Sequence, residues 1–319
     1  MRDHGGDLDR AQARYGAGAW LDLSTGINPV PYPVPDLPAR AWTALPTRAE
    51  VAALEACARR AWHARRGCVA LAGAQGAIQL VPQLAPPGAA RVVGPTYNEH
   101  AGALRAQGWT VEEVATPEDL RGAALGVLVN PNNPDGRRWT PEEVLAVARD
   151  VGLLIVDESF ADPMPEVSVL PLLEAQRVVV LRSFGKFYGL AGLRLGFGFA
   201  SDEVLARLKA LAGPWAVSGL AIAVGQAALA DTGWQSETCD RLAADVVRLD
   251  GLAETQGWRL VGGTPLFRTY DAGDALAAQE RLAQHRVWSR IFPYSDSWIR
   301  LGLPGDEAGW HQLATAMQG

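Results

Sequence analysis

Lysine is nearly absent from this 319-residue chain: of its 29 basic residues other than histidine, only Lys186 and Lys209 are lysines. Cysteine is scarce too. Cys57, Cys68 and Cys239 are odd in number and lack metal-ligand spacing, which argues against a disulfide framework or a zinc site. The histidines, His4, His63, His100, His285 and His311, are dispersed in the same way. No run approaches the ~20 apolar residues that cross a bilayer. The first residues, Met1 to Asp7, have no apolar core of the secretory kind, so the expected compartment is the cytoplasm. A formal charge of -6 provides no basic surface for a polyanion, so neither nucleic acid nor membrane is expected as a partner.

What is present is an ordinary globular composition, 48% apolar and 20% charged. Residues 27–46 carry six prolines, Pro29, Pro31, Pro33, Pro35, Pro38 and Pro46, and read as an extended connector. Helices are expected over 50–65, 77–84 and 100–107, and strands over 68–71, 91–94 and 124–130. A further helix starts with Thr140 as N-cap, Pro141 next and Glu143 to close a capping box. The apolar runs Gly152–Asp157, Arg177–Arg182 and Leu195–Ala200 have the character of buried parallel strands. Alternating strands and helices predict an α/β fold with a mostly parallel sheet covered on both faces. Beyond about Pro214 the rhythm changes: helices over 220–229 and 241–254, strands over 266–270, 287–291 and 298–302, and a helix over 306–317. The expected organisation is an N-terminal segment 1–45 that joins a smaller α+β domain 214–319 as active-site cover, around a large domain 46–213.

Ligands of parallel α/β sheets sit beyond the carboxyl ends of the strands. Three polar groups fall there: Asn130-Pro131-Asn132-Asn133-Pro134, Asp157-Glu158, and Ser183-Phe184-Gly185-Lys186. Each alone has a plain explanation, as a turn, a capping acid or a solvated lysine. Together their types suit one task. A lysine amine forms a Schiff base with an aldehyde. An aspartate pairs with a protonated pyridine nitrogen and keeps the ring an electron sink. An asparagine amide donates to a ring oxygen. Gly73-Ala74-Gln75-Gly76, between a strand and a helix, offers backbone N–H groups to a phosphate, and Ser183 and Arg194 add a hydroxyl and a positive charge.

These segments, with Ser-Phe-Gly-Lys-Phe-Tyr-Gly-Leu-Ala-Gly-Leu-Arg-Leu-Gly over 183–196, resemble the fold-type I, aminotransferase-like enzymes that use pyridoxal 5′-phosphate. The resemblance implies Lys186 as the Schiff-base lysine, Asp157 as the pyridinium partner and Asn133 as the ring-oxygen donor. It also implies Tyr97 as the residue stacked on the ring, and Ala74, Gln75, Ser183 and Arg194 as phosphate binders. Catalysis falls to Lys186, Asp157 and Tyr97. Two positions depart from many aminotransferases: Phe160 and Leu45 stand where tyrosines are usual.

A narrower likeness involves His4-Gly5-Gly6-Asp7, Asp22-Leu23-Ser24-Thr25-Gly26-Ile27-Asn28-Pro29 and the stretch from Trp288 to Pro304. These are similar to the threonine-phosphate decarboxylases of cobalamin biosynthesis. That likeness implies decarboxylation of L-threonine O-3-phosphate, with His4, Asn28, Arg290 and Arg300 at the substrate, and a homodimer. A histidinol-phosphate-type aminotransferase is the alternative. Two other classes fit poorly. Ser183-x-x-Lys186 matches a serine acyl-transferase signature, but no Lys-Thr-Gly accompanies it. No Gly-x-Gly-x-x-Gly follows a strand, as a dinucleotide site requires.

Overall fold

The computed structural model describes residues 4–318; Met1, Arg2, Asp3 and Gly319 lie outside it. The chain divides into two compact units. The larger comprises Tyr32–Asn133 and Arg138–Trp234, and the smaller comprises residues up to Pro31, Pro134–Arg137 and those from Gln235 on.

The larger unit is built on a seven-stranded sheet. Its order is Gly67–Leu71, Gly196–Ala200, Val178–Ser183, Leu154–Asp157, Leu125–Val129, Ala89–Val93 and Thr110–Val114. Only Gly196–Ala200 runs antiparallel to its neighbours. The three central strands are buried at every position, which explains why Val, Leu and Ile dominate them: a strand covered on both faces has no solvent side to leave polar. The expected α/β class and mostly parallel sheet are what the chain forms.

The elements differ from expectation in instructive places. The helix expected from Ala77 starts at Gly73 and becomes a 3-10 turn over Val81–Leu84, where Pro82 lacks a donor to continue it. The proline-rich 27–46 segment is not extended throughout: Ala39–Thr43 forms a short helix after Pro38. Thr110–Val114 is an edge strand that the pattern missed, because Glu112 and Glu113 break its alternation. The helix expected over 241–254 begins nine residues earlier, at Thr232. Unexpected helices span Leu8–Tyr15, Asp202–Ala212 and Ala275–Gln284, and an unexpected strand spans Arg259–Thr264. The capping box at Thr140 and Glu143 forms as its sequence dictates.

The observed boundaries fall at 31/32 and 234/235, against 45 and 213 from the sequence rhythm. Packing explains the second. Helix Gly219–Ala230 presses on helix Arg48–Ala61, and a Cβ at Gly225 would lie 2.9 Å from Leu54 and 2.7 Å from Leu195. The smaller unit has a four-stranded antiparallel sheet ordered Arg290–Phe292, Ser295–Leu301, Phe267–Asp271, Arg259–Thr264. Pro134–Arg137 packs into this unit so closely that a Cβ on Gly136 (φ +69°) would meet Gly263 backbone at 2.3 Å, which only glycine permits. Among the described residues no helix is long and apolar enough to cross a membrane, and no cluster of His, Cys, Asp or Glu is arranged to hold a metal ion.

Candidate active site

The strand ends of the larger unit open on one cavity of about 730 Å³, part of it open to solvent and within the usual range for small-molecule pockets. All eight residues expected to hold or act with a cofactor line it: Ala74, Gln75, Tyr97, Asn133, Asp157, Ser183, Lys186 and Arg194. The geometry says what each corner accepts.

One corner is an anion cradle. Strand Gly67–Leu71 turns at Gly73, whose φ of +74° favours glycine, and helix Gly73–Leu80 begins there. Ala72, at the N-cap, supplies no side-chain acceptor to the first-turn N–H groups. Arg194 approaches so closely that a Cβ on Gly73 would lie 2.9 Å from its Nη2. Arg194 itself adopts a left-handed φ of 56° and donates from Nη1 to the Ala191 carbonyl, 3.0 Å away. Gly196 admits the turn from below, since its Cβ would stand 2.4 Å from Ala74 N. A helix N-terminus and a guanidinium thus meet in the kind of site a phosphomonoester occupies, and Ser183 lines the same cavity.

A second corner holds a charged acid. Asp157 ends its strand and is 3% exposed. Burial pushes its carboxyl up, but hydrogen bonds and charge from His100, with hydrogen bonds from Ser159, outweigh that and hold it below the ordinary carboxylate range. His100 Nε2 lies 2.8 Å from Oδ2, and Ser159 donates to Oδ1 from both its backbone N–H and its hydroxyl. An anion kept in place by two partners is what a pyridinium N–H requires.

Lys186 sits in the helical turn Phe184–Phe187 directly after strand Val178–Ser183. Its Nζ lies 5.7 Å from the centroid of Phe160, so the hydroxyl that a tyrosine would bring is replaced here by an aromatic face. Tyr97 donates to Gln75 Oε1 at 3.3 Å, and Gln75 Nε2 donates to the buried Glu99 at 2.8 Å, which fixes both side chains at the cavity wall. Sequence reasoning missed His100, Ser159 and Glu99. For His100 the one signal was its place three residues after Tyr97, at the start of helix Glu99–Ala106; in the structure the two rings meet edge-on at 6.2 Å.

The expected substrate residues belong to the smaller unit, where Arg290 and Arg300 are direct partners on antiparallel strands. Arg300 is 6% exposed, donates from Nη2 to the Ser24 carbonyl at 2.6 Å, and stacks 5.1 Å over Phe267. Burial and then the like charge of Arg290 lower its pKa to about 10, against the pull of Tyr294 and Asp22. His4 and Arg290 line a second cavity with Asp7, Arg10 and Ser289; Asn28 and Arg300 do not line it. Asn28 is buried, and its carbonyl oxygen accepts from Arg241 Nη2 at 2.7 Å and Val30 N at 3.1 Å. Arg241 is another partner the sequence did not announce.

The model of the family described as "Aminotransferase class I and II" matches residues 39–317. The chain belongs to the aminotransferase class I and II family. A threonine-phosphate decarboxylase of a Sinorhizobium species is 42% identical, over 98% of this chain and 97% of that protein. One from Pseudomonas aeruginosa is 41% identical, over 100% of this chain and 98% of the other. Among solved structures, the histidinol-phosphate aminotransferase of Sinorhizobium meliloti, in complex with pyridoxal-5'-phosphate, superposes with a TM-score of 0.87 at 19% identity, covering 99% of this chain and 94% of that one. The L-threonine-O-3-phosphate decarboxylase of Porphyromonas gingivalis gives 0.70 at 20% identity, covering 83% and 87%. At those identities the structural likenesses speak for the fold, and the family's mostly parallel sheet is the one seen here.

Proposed function

We propose that this family member decarboxylates L-threonine O-3-phosphate to (R)-1-aminopropan-2-ol O-2-phosphate, a step of cobalamin biosynthesis. Its cofactor is pyridoxal 5′-phosphate. When bound, that cofactor supplies an electron sink that lets a bond at the substrate α-carbon break. The chain's own residues do the rest. Gly73, Ala74, Gln75, Ser183 and Arg194 would hold the phosphate, Asp157 the ring nitrogen, Asn133 the ring oxygen, and Tyr97 a ring face. Lys186 would hold the aldehyde carbon through Nζ and, once released, deliver the proton that replaces the departing CO2 on the α-carbon.

The observation that carries the substrate is the Arg290–Arg300 register. Like charges directly opposite on a ladder repel, and Arg300 is buried besides. A substrate with a carboxylate and a phosphate, carrying about three negative charges near neutrality, relieves that repulsion. Arginine forks suit both oxyanions. Asn28 is a buried polar group of the same unit, held by Arg241 through its carbonyl oxygen. His4 adds a donor from the N-terminal segment. Two relatives named threonine-phosphate decarboxylase, each matched over nearly its whole length, support the same reading. Relatives named histidinol-phosphate aminotransferase match less of this chain, 44% of it at 38% identity and 70% at 32%.

The reading includes a cytoplasmic homodimer. Trp42, Leu45, Trp215 and Val34 are 67%, 62%, 58% and 56% exposed on the larger unit, an apolar display that a second copy would cover. The test of function is direct. Pyridoxal-phosphate-loaded enzyme incubated with L-threonine O-3-phosphate should release CO2 in step with amine formation, and no CO2 would overturn the assignment.

A further inference from the structure

Behind the cofactor cavity lies an ion cluster that none of the roles above uses. Arg182 is 2% exposed, Glu158 is fully buried, and the side chain of Asp162 is 4% exposed. Arg182 Nε stands 3.2 Å from Glu158 Oε2, and Nη1 stands 3.6 Å from Asp162 Oδ2. The Ser168 hydroxyl bridges the first pair, accepting from Arg182 Nη2 at 3.1 Å and donating to Glu158 Oε2 at 2.6 Å. Val169 N donates to Glu158 Oε1 at 2.7 Å, and Trp62 Nε1 to Asp162 Oδ1 at 2.9 Å. The Trp62 ring lies 5.2 Å beneath the guanidinium.

Stability is a poor reason to keep such a cluster. One guanidinium faces two carboxyls without solvent, and replacing buried ion groups by apolar residues of similar volume is often neutral or stabilising. Burial pushes both carboxyls up, against Arg182's pull. What the cluster does possess is a particular place in the chain. Successive residues of a strand point to opposite faces. Asp157 and Ser183 line the cavity, while their neighbours Glu158 and Arg182 form the cluster. Glu158 N still bonds the Leu181 carbonyl at 2.9 Å, so the two strand ends remain in register here. Ser159 and Phe160, both at the cavity, lie between Glu158 and Asp162 in sequence. Each cavity residue in this corner therefore has a cluster member as a neighbour within two positions.

We infer that Arg182 and Glu158 are positioning residues for the cofactor site, clamping the ends of two adjacent strands so that Asp157, Ser159, Phe160 and Ser183 hold their places in the cavity. The clamp acts through the backbone, and small displacements there are costly to catalysis: about 1 Å can remove about 100-fold in rate. The inference rests on the cofactor assignment and is independent of which substrate is used.

The test uses the full-length, cofactor-loaded protein and three readouts: thermal midpoint, retention of the cofactor on dialysis, and the pH midpoint of its near-visible absorbance. The unmodified protein must first show that absorbance, and its absence would overturn the cofactor assignment itself. Arg182→Gln is expected to shift the pH midpoint and to lower kcat roughly 10- to 100-fold, more than it changes KM. Arg182→Lys should recover part of both, since it restores the charge without the fork. Asp162→Asn should leave the pH midpoint unchanged and raise the thermal midpoint near neutral pH, because a carboxyl that resists ionisation in the fold is then no longer forced to ionise. Should Arg182→Gln fail to fold, Ser168→Ala decides, as it removes only the bridging hydroxyl. It should move the pH midpoint in the direction taken by Glu158→Gln. A folded Arg182→Gln, or a folded Ser168→Ala, with unchanged pH midpoint, cofactor retention and kcat would overturn the inference.

Discussion

His100 Nε2 and Asp157 Oδ2 stand 2.8 Å apart with both side chains buried, 57 residues apart in sequence. The histidine is the largest of the influences that keep this enclosed carboxyl ionised against the cost of its burial. A carboxyl depressed in the fold contributes stability above its ordinary range and loses it as pH falls through the depressed value. His100→Phe removes that support while filling the space. It should move the acid limb of cofactor retention upward by one to two pH units, from a charged hydrogen bond of roughly 1.5–3 kcal/mol. An unmoved acid limb would show that Ser159 alone suffices.

Covalent attachment can be mapped because the chain has so few lysines. Borohydride reduction followed by peptide mapping should place the pyridoxyl group on Lys186, and Lys186→Ala should abolish it. Finding the group on Lys209, whose Nζ faces Glu55 at 3.3 Å on the surface, would be incompatible with the assigned site.

The phosphate cradle depends on a missing side chain. Gly73→Ala puts a methyl group into a left-handed backbone and 2.9 Å from Arg194 Nη2. Strain and lost contact together should cost roughly 1–3 kcal/mol, or about 5- to 150-fold in cofactor affinity, with secondary structure intact by circular dichroism. Unchanged affinity would remove Arg194 and the helix start from the cradle.

How much of this was legible follows from how local each signal is. Lys186, Asp157 and Asn133 were readable because strand ends and their polar residues are contiguous in sequence. The central strands were readable for the same reason: Leu125–Val129 and Val178–Ser183 carry their burial in their composition. The edge strand Thr110–Val114 was not, because an edge strand exposed on both faces tolerates glutamates at the adjacent positions 112 and 113. The true start of helix Gly73–Leu80 was hidden by glycines at 73 and 76, poor helix formers, the first of them kept for its close approach to Arg194. Arg241 holds Asn28 across 213 positions, and no periodicity encodes such a pair.

The arginine pair makes a prediction without turnover. Burial and Arg290 depress Arg300 toward about 10, so the ligand-free fold bears a repulsion that a bound dianion removes. In the cofactor-loaded protein, whose phosphate cradle is already filled, inorganic phosphate should therefore raise the thermal midpoint, and Arg300→Met should abolish that rise while keeping the fold, since Met fills much of the arginine stem's volume. An identical rise in the variant would place phosphate elsewhere.

Substrate choice gives the sharpest test between the two reactions open to this scaffold. A histidinol-phosphate aminotransferase needs a phosphate clamp but no carboxylate clamp in its amine half-reaction, whereas a threonine-phosphate decarboxylase needs both at once. Arg290 and Arg300, paired across one ladder, provide two forks where a single anion needs one. Supplied with each compound in turn, the loaded enzyme should release CO2 from L-threonine O-3-phosphate and form no keto product from histidinol phosphate with 2-oxoglutarate. Arg290→Gln and Arg300→Gln should each lower kcat/KM for the first compound roughly 30-fold or more, because removing one partner of a desolvated charge pair costs about 2–5 kcal/mol. Alanine in place of the surface residue Arg259 should change little, since its ion pair with Asp271 is exposed to water on the arginine side. Keto-product formation without CO2 release would transfer the enzyme to the aminotransferase reading, and the cofactor site, which serves both reactions, would stand unchanged.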